Sequence, residues 1–96
     1  MITSKQRSYL RSLGNTIEPI FQIGKGGINE NLIQQVKDAL EARELVKITV
    51  LKNSLLDTRE ACDELARLVE AEPVQVIGNR FILYKQSKKN PRIVLE

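Results

Sequence analysis

The apolar positions along the chain follow two spacings, and each spacing predicts a different kind of element. Three segments repeat apolar residues every three to four positions, which is the pattern of a helix that buries one face. The first segment has Tyr9, Leu10 and Leu13; the second has Leu32, Ile33, Val36, Ala39 and Leu40; the third has Ala61, Cys62, Leu65, Leu68 and Val69. We therefore predict three amphipathic helices.

Short segments rich in β-branched and aromatic residues lie between and after these helices. The first is Ile20–Ile23, and the clearest is Leu45–Leu51, where Val46, Ile48 and Val50 alternate with Lys47 and Thr49. This alternation predicts one buried face and one solvated face, with Lys47 on an open sheet surface. Residues 74–77 and 80–85 flank Gly78-Asn79, a dipeptide that suits the turn of a β-hairpin.

Local signals predict where the helices begin and end. Thr3 and Gln6 have the spacing of a capping box, Asn29 is a favourable N-cap, and Asp57 with Glu60 forms a second cap signature. Gly14 suits the position after the last turn of the first helix, and Pro73 ends the third helix.

The predicted element order is α-β-α-β-α-β-β. Two successive βα units imply parallel neighbouring strands with right-handed crossovers, and the final hairpin adds an antiparallel strand. We therefore predict an α/β protein of the α+β two-layer type with a mixed four-stranded sheet.

The 96 residues of the chain suffice for one domain with one core. We assign residues 1–86 to that domain and residues 87–96 to a basic C-terminal tail that extends away from it. No apolar run is long enough to span a bilayer, and the N-terminus lacks a signal-peptide pattern. Because the single cysteine, Cys62, has no disulfide partner, we expect it to be buried in a cytoplasmic protein.

The absence of histidine narrows the range of functions. With one cysteine and no histidine, the usual Cys/His zinc site is excluded, and the commonest general base at neutral pH is missing. We therefore expect a protein that is not an enzyme and that holds neither metal nor cofactor. The acidic residues of the third helix could suggest a metal patch, but a solvated helix face explains them more simply: Asp57, Glu60, Asp63 and Glu64.

The net charge of +3 is unevenly distributed. Residues 1–29 carry four cations and one acid, and residues 73–96 carry five cations and one acid. Residues 57–72 carry two cations and six acids instead. This polarity favours a polyanion as partner on one face of the protein.

A glycine-rich loop, Gly24-Lys25-Gly26-Gly27, joins the first strand to the second helix. The loop lacks the hydroxyl residue after lysine that a nucleotide-binding P-loop needs. A dinucleotide fingerprint would require glycine at Asn29, although Glu44 lies where its ribose-binding acid would be. A Gly-x-x-Gly clamp, as in KH domains, fits the strand–loop–helix context, because it holds phosphates of single-stranded nucleic acid on backbone amides. A plain glycine turn remains the alternative.

Four aromatic residues could stack on bases. Phe21 and Phe81 alternate with apolar neighbours, so burial in the core is the better interpretation for both. Tyr9 lies at the edge of a helix surface, and Tyr84 lies near the end of the hairpin.

Taken in order, four motifs resemble those of YhbY-type proteins, which are stand-alone CRM domains. They are residues 5–11 in the first helix, residues 23–28 in the loop, residues 42–47 before the second strand, and Gly78 with Leu83-Tyr84-Lys85. The resemblance covers residues 3–85, nearly the whole chain. It implies sheet order 1-2-4-3 with strand four antiparallel to the others, similar to the C-terminal domain of translation initiation factor three.

The resemblance also implies RNA binding and association with precursors of the large ribosomal subunit during assembly. It implies ribosomal RNA as partner, with ribosomal proteins as a further candidate, and we expect a monomer. The residues expected to bind RNA are those of the loop and the cations around it: Gly24, Lys25, Gly26, Gly27, Asn29, Lys5, Arg7, Arg11, Lys88 and Lys89. Two other classes remain open, namely an adaptor that docks on an assembly factor or ribosomal protein and a small nucleotide-binding enzyme.

Overall fold

The computed structural model describes residues 2–95 and confirms the predicted element order. The helices are α1 (Ser4–Gly14), α2 (Glu30–Arg43) and α3 (Thr58–Val69), and the strands are β1 (Phe21–Ile23), β2 (Leu45–Val50), β3 (Glu72–Ile77) and β4 (Arg80–Tyr84). A single 3₁₀ turn, Lys52–Ser54, follows β2.

The three predicted N-caps are present because each depends only on residues three positions apart. The Thr3 hydroxyl accepts a hydrogen bond from the Gln6 N–H at 3.1 Å, while the Gln6 side chain accepts one from the Thr3 N–H at 2.9 Å. Asn29 Oδ1 accepts from the Leu32 N–H at 2.8 Å, and Asp57 accepts from the Glu60 N–H at 3.2 Å. These bonds satisfy amides that a helix leaves without an internal partner.

The sheet has the order β1-β2-β4-β3, as the resemblance implied. β1 pairs in parallel with β2, with Ile23 opposite Val50. β4 is antiparallel to both β2 and β3, and a register shift between Pro73 and Gln75 interrupts the outer pair. The larger part of the core lies between this sheet and the pair α2 and α3, where Val46, Ile48, Phe81 and Leu83 are buried.

Helix α1 covers part of the opposite face of the sheet, which corrects the expectation of a solvated surface for that part. Leu10 of α1 packs there on Leu45, Val74, Ile82 and Tyr84. Lys47 is half-buried, and Thr49 of the same face is buried. Helix α1 therefore adds a partial third layer to the two-layer arrangement of the sheet with α2 and α3.

Gly14 corrects a second expectation, since it lies inside α1 rather than after it. Gly14 is the last residue of α1, and the C-cap residue Asn15 has right-handed backbone angles, so no left-handed glycine is needed there. Gly14 is buried, and a Cβ built on it would lie 2.5 Å from Ile82 Cδ1. The glycine therefore permits close approach of α1 to β4.

The residues after the domain, 87–95, also differ from prediction, because they fold back on it rather than extend away. We call them the C-terminal segment. Two glutamates at the end of α2 bind its backbone: Glu44 accepts N–H bonds from Ser87 at 2.7 Å, Arg92 at 2.5 Å and Ile93 at 2.7 Å. Glu41 accepts from the Ser87 hydroxyl and from the amides of Lys88 and Lys89.

These bonds change the pKa of both glutamates. The hydrogen bond from the Ser87 hydroxyl, with those from Lys88 and Lys89, lowers the pKa of Glu41 from 4.5 to about 2. Burial raises the pKa of Glu44, but three backbone N–H donors outweigh burial, and the pKa is lowered overall. Glu44, whose spacing from Gly24 suits a ribose ligand, is thus occupied by its own chain.

Candidate functional site

The glycine loop is a tight turn between β1 and α2. The Gly27 N–H donates a hydrogen bond to the Gly24 carbonyl at 2.9 Å, and Gly27 has φ +65°. Of the three glycines, only Gly27 has a backbone angle that other residues avoid. A Cβ at Gly26 would lie 3.4 Å from the Asn29 amide nitrogen, and one at Gly27 would meet nothing within 4 Å. The outer side of the loop is therefore open to a ligand.

The N-terminus of α2 lies directly after this loop. Asn29 Oδ1 accepts a hydrogen bond from the Leu32 amide, whereas the amides of Glu30 and Asn31 have no intrahelical acceptor. These amides and the helix dipole favour an anion. Glu30 lies in the same first turn and adds one negative charge, whereas Lys25 at the loop tip is exposed and positive.

The parallel pairing of β1 and β2 places the residues after β2 beside the loop. The Leu51 N–H donates to the Ile23 carbonyl at 2.9 Å, and a Cβ at Gly24 would lie 3.6 Å from Asn53 Oδ1. Exposed Lys52 therefore joins Lys25 at this end of the sheet. The sequence analysis missed Lys52, although its position directly after a strand parallel to β1 is the signal that could have found it.

Two leucines follow Lys52 on the surface. Leu55 is 92% exposed and has φ 61°, and Leu56 is 40% exposed. A non-glycine residue with positive φ is strained, and such residues cluster at functional sites. The structure thus presents apolar side chains near the glycine loop, which the sequence analysis did not predict.

The three cations predicted on α1 lie elsewhere. Arg7 Nε donates to the Pro73 carbonyl at 3.2 Å, and Arg7, Arg11 and Arg59 line one hollow of about 500 Å³ along β3. Lys5 borders a different hollow with Tyr9 and Leu95. Arg59 is a further cation that sequence reasoning missed, because it belongs to the acidic helix α3.

The register of the sheet shows how far this arginine group is from the loop. Pro73 pairs with Leu83, and Leu83 pairs with Val46 near the start of β2, whereas the loop follows the residue opposite Val50. Strands about 4.8 Å apart and a rise of about 3.3 Å per residue place Pro73, the residue that Arg7 contacts, roughly 20 Å from the loop. The structure therefore does not bring the α1 cations to the loop.

Lys88 and Lys89 form a third group. Their amides are bound to Glu41, which lies twelve residues after Asn29 on α2. At 1.5 Å per residue this is about 18 Å along the helix. The ten predicted site residues thus fall into separate places: the loop with Asn29, the α1 cations, and the pair at the far end of α2.

The structure confirms that Phe21 and Phe81 belong to the core, as predicted. Phe81 is 1% exposed and Phe21 packs on the core, whereas Tyr9 is 48% exposed. Tyr84 is buried, and burial raises the pKa of its hydroxyl, with a smaller contribution from Glu44. Tyr9 is therefore the aromatic side chain that solvent reaches most freely.

The described residues contain few perturbed titratable groups. Burial raises the pKa of the Cys62 thiol to about 11, which confirms it as a buried apolar residue. Within residues 2–95, no group of three or more acidic or cysteine side chains could hold a metal ion. In the same range, no helix is long and apolar enough to cross a membrane.

The fold and the loop define a small α/β domain with a Gly-x-x-Gly turn at a helix N-terminus. The chain belongs to the CRS1/YhbY (CRM) domain family, whose model matches residues 2–85.

Relatives of similar length are found in bacteria. The chain is 47% identical over 95 residues to the Bacillus subtilis "Probable RNA-binding protein YqeI", with 99% of each chain covered. It is 52% identical to a hypothetical Staphylococcus aureus protein proposed to bind RNA, whose solution structure it matches at TM-score 0.83 over the full length of both chains. It is also 32% identical over 68 residues to the maize chloroplast protein "CRS2-associated factor 1", covering 71% of this chain but 10% of that relative.

Proposed function

We propose that this protein binds RNA through the glycine loop and associates with precursors of the large ribosomal subunit during assembly. The observation that carries the proposal is the open Gly24–Gly27 turn at the N-terminus of α2, flanked by Lys25 and Lys52. One relative covering 99% of the chain is named "Probable RNA-binding protein YqeI", and the Staphylococcus aureus protein is proposed to bind RNA, which supports a nucleic-acid ligand. The ribosomal particle is implied by the resemblance described in the sequence analysis.

The loop would bind RNA by its phosphates. Backbone amides at the helix N-terminus donate to phosphate oxygens, while Lys25 and Lys52 displace counterions. These contacts position the protein without selecting a base sequence, so specificity comes from the shape of the RNA or from neighbouring ribosomal proteins. We assign no catalytic step to the site and expect no cofactor.

The proposal is tested first with purified protein and single-stranded RNA. If about four phosphates are neutralised, the logarithm of affinity should fall with the logarithm of salt concentration at a slope of roughly −3. The paired substitutions Lys25→Ala and Gly26→Asp should weaken binding at least tenfold. Gly26 tolerates a Cβ, so this variant should fold as the wild type does. A salt slope near zero would contradict the electrostatic mechanism.

A matched control carries Gln35→Asp and Lys37→Ala on the exposed side of α2, with the same change in net charge. It should bind as the wild type does. The ribosomal part of the proposal is tested by sedimentation of lysates: wild type and control should migrate with large-subunit precursors, and the loop variant should remain at the top. Co-migration of the wild type, the control and the loop variant would show that the loop is a structural turn and does not bind the particle.

The adaptor hypothesis has one observation in its favour, the exposed pair Leu55 and Leu56 beside the loop. Exposed apolar side chains of this kind are common at protein contacts. If particle association survived nuclease treatment and was lost in Leu55→Ser, a protein partner would replace RNA as the main ligand.

A further inference from the structure

Helix α1 leaves part of the sheet face on which it packs accessible to solvent. Alternation along β2, β3 and β4 directs Lys47, Gln75, Ile77 and Arg80 to this face, beside the hairpin turn Gly78-Asn79. We call these four residues the open sheet face. With Asn15 at the end of α1, they line a hollow of about 330 Å³.

Lys47 and Arg80 give the open sheet face a positive charge, while Glu18 borders a neighbouring hollow that Lys47 also lines. No acidic side chain is among the described residues that line the hollow. Within residues 2–95, the one ion pair closer than 4 Å joins Arg67 to Glu64, so Lys47 and Arg80 have no carboxylate partner there. Two uncompensated cations over a concave surface attract an anionic ligand.

Two further side chains on this face indicate more than a phosphate contact. Gln75 Oε1 is buried and, among the described residues, has no hydrogen-bond donor. A buried acceptor without a donor is costly, so a rotation of the Gln75 side chain that turned this oxygen into the hollow would let it accept from the N–H groups of a ligand. Ile77 is 56% exposed and offers an apolar surface at the rim. An unpaired base offers both an N–H edge and an apolar ring face.

The open sheet face is continuous with the glycine loop. The Asn79 carbonyl accepts from the Val50 N–H at 2.7 Å, and the Leu51 N–H of the next residue donates to Ile23 just before the loop. The end of β2 therefore touches the hairpin turn on one side and β1 on the other. A strand bound at the loop can cross this end of the sheet onto Arg80 and Lys47.

We propose that the open sheet face is a second contact for single-stranded RNA, with Lys47 and Arg80 on phosphates and Gln75 on a base edge. The inference rests on the proposed function and extends it, since it gives the RNA a path beyond the loop. A single strand fits better than a duplex, because a duplex has no free base edge for Gln75 in this shallow hollow.

The test uses the full chain and a twelve-nucleotide oligouridylate. We expect Lys47→Ala with Arg80→Ala to weaken binding about tenfold and to make the salt slope less steep by about 1.4, since each phosphate contact on a single strand contributes about 0.7. Lys47→Gln with Arg80→Gln keeps the side-chain stems and should act in the same way. The control, Lys37→Ala with Arg67→Ala, removes the same charge from exposed positions on α2 and α3.

Ultraviolet cross-linking supplies an independent readout, and wild type should yield cross-linked peptides from the β3–β4 hairpin. If both sheet variants matched the control in affinity and slope and hairpin cross-links were absent, the inference would fail. In that case, loss of binding in the Lys25→Ala, Gly26→Asp variant would still support the loop as an RNA-binding site. Failure of wild type to bind the oligonucleotide would reject the proposed function as well.

Discussion

Gly14 serves a packing role that its place in the sequence does not reveal. A glycine after a helical pattern usually ends the helix, yet this one lies within α1 against β4. The reason is tertiary, since Ile82 occupies the volume that a side chain at position 14 would need. Gly27, in contrast, has the role that its place in a turn indicates, because its φ of +65° lies in the left-handed region that favours glycine.

A substitution at Gly14 tests this packing role. Gly14→Val should lower the free energy of unfolding by about 1–3 kcal/mol, because overpacking displaces the buried Ile82. For a domain of this size each kcal/mol corresponds to a decrease in Tm of about 4–8 °C.

The control is Ser12→Val on the exposed side of the same helix, which introduces the same β-branched residue without a tertiary contact. Ile82→Val should recover part of the loss in the Gly14→Val background. Thermal unfolding of the wild type, Gly14→Val, Ile82→Val and the double variant measures this coupling. Valine has a higher helix propensity than glycine, so propensity alone would stabilise Gly14→Val. A Tm of Gly14→Val equal to or above that of the wild type would contradict the packing role.

At the scale of elements, the end of α2 anchors the C-terminal segment. Glu41 and Glu44 look like ordinary surface charges of an amphipathic helix in the sequence. In the structure they accept bonds from residues more than forty positions later. Glu44 is buried and has φ 68°, which a glutamate tolerates because its carboxylate satisfies three amides.

Glu44→Gln should loosen this anchor, since an amide nitrogen would face N–H donors. We expect a loss of about 1–3 kcal/mol in the free energy of unfolding, with faster hydrogen exchange at Ser87 and Ile93. Glu70→Gln is a matched control, because Glu70 also ends a helix with positive φ but is exposed. Unchanged exchange in Glu44→Gln would show that the carboxylate does not hold the segment.

The same anchor should respond to acid. Because the pKa of both glutamates is lowered on folding, the unfolded chain binds more protons than the folded chain below pH 4.5. Their contribution to stability is therefore complete above this pH and is lost as pH falls through the folded values. The amide resonances of Lys88 and Lys89 should titrate with a midpoint near 2, the pKa of Glu41. A midpoint of 4.5 would show that the bonds to Glu41 are not formed in solution.

At the scale of the whole molecule, the cations are distributed around the domain rather than gathered at one site. The arginine hollow along β3 and the lysines at the end of α2 each lie about 18–20 Å from the loop. A ligand that contacts more than one group must therefore be extended, as a single-stranded RNA can be. Net charge alone does not convey this arrangement.

This separation predicts different effects on a short RNA. Lys25→Ala should weaken binding of a five-nucleotide RNA several-fold, whereas Lys88→Ala with Lys89→Ala should change it less than twofold. Fluorescence anisotropy at fixed salt measures both, and the exposed Lys37→Ala serves as control. Equal losses from the loop and the C-terminal lysines would show that the short RNA spans both groups.

Features set by residues close in sequence could be predicted. The caps at Thr3, Asn29 and Asp57, the hairpin turn at Gly78 and the strand–loop–helix context of Gly24–Gly27 each depend on neighbours a few positions apart. The sheet order came from the resemblance to CRM domains rather than from periodicity. Lys52 and Arg59 were missed because their relevance arises only when distant segments pair.

The element order, the helix caps and a glycine loop before a helix could be predicted from the sequence, because local hydrogen bonds and periodic burial specify them. Which cations share a surface, why Gly14 is a glycine and where the C-terminal segment lies depend on the tertiary structure. These features depend on contacts between residues far apart in the chain, such as Glu44 with Arg92 and Arg7 with Pro73. Close packing fixes such contacts only when the whole core has formed.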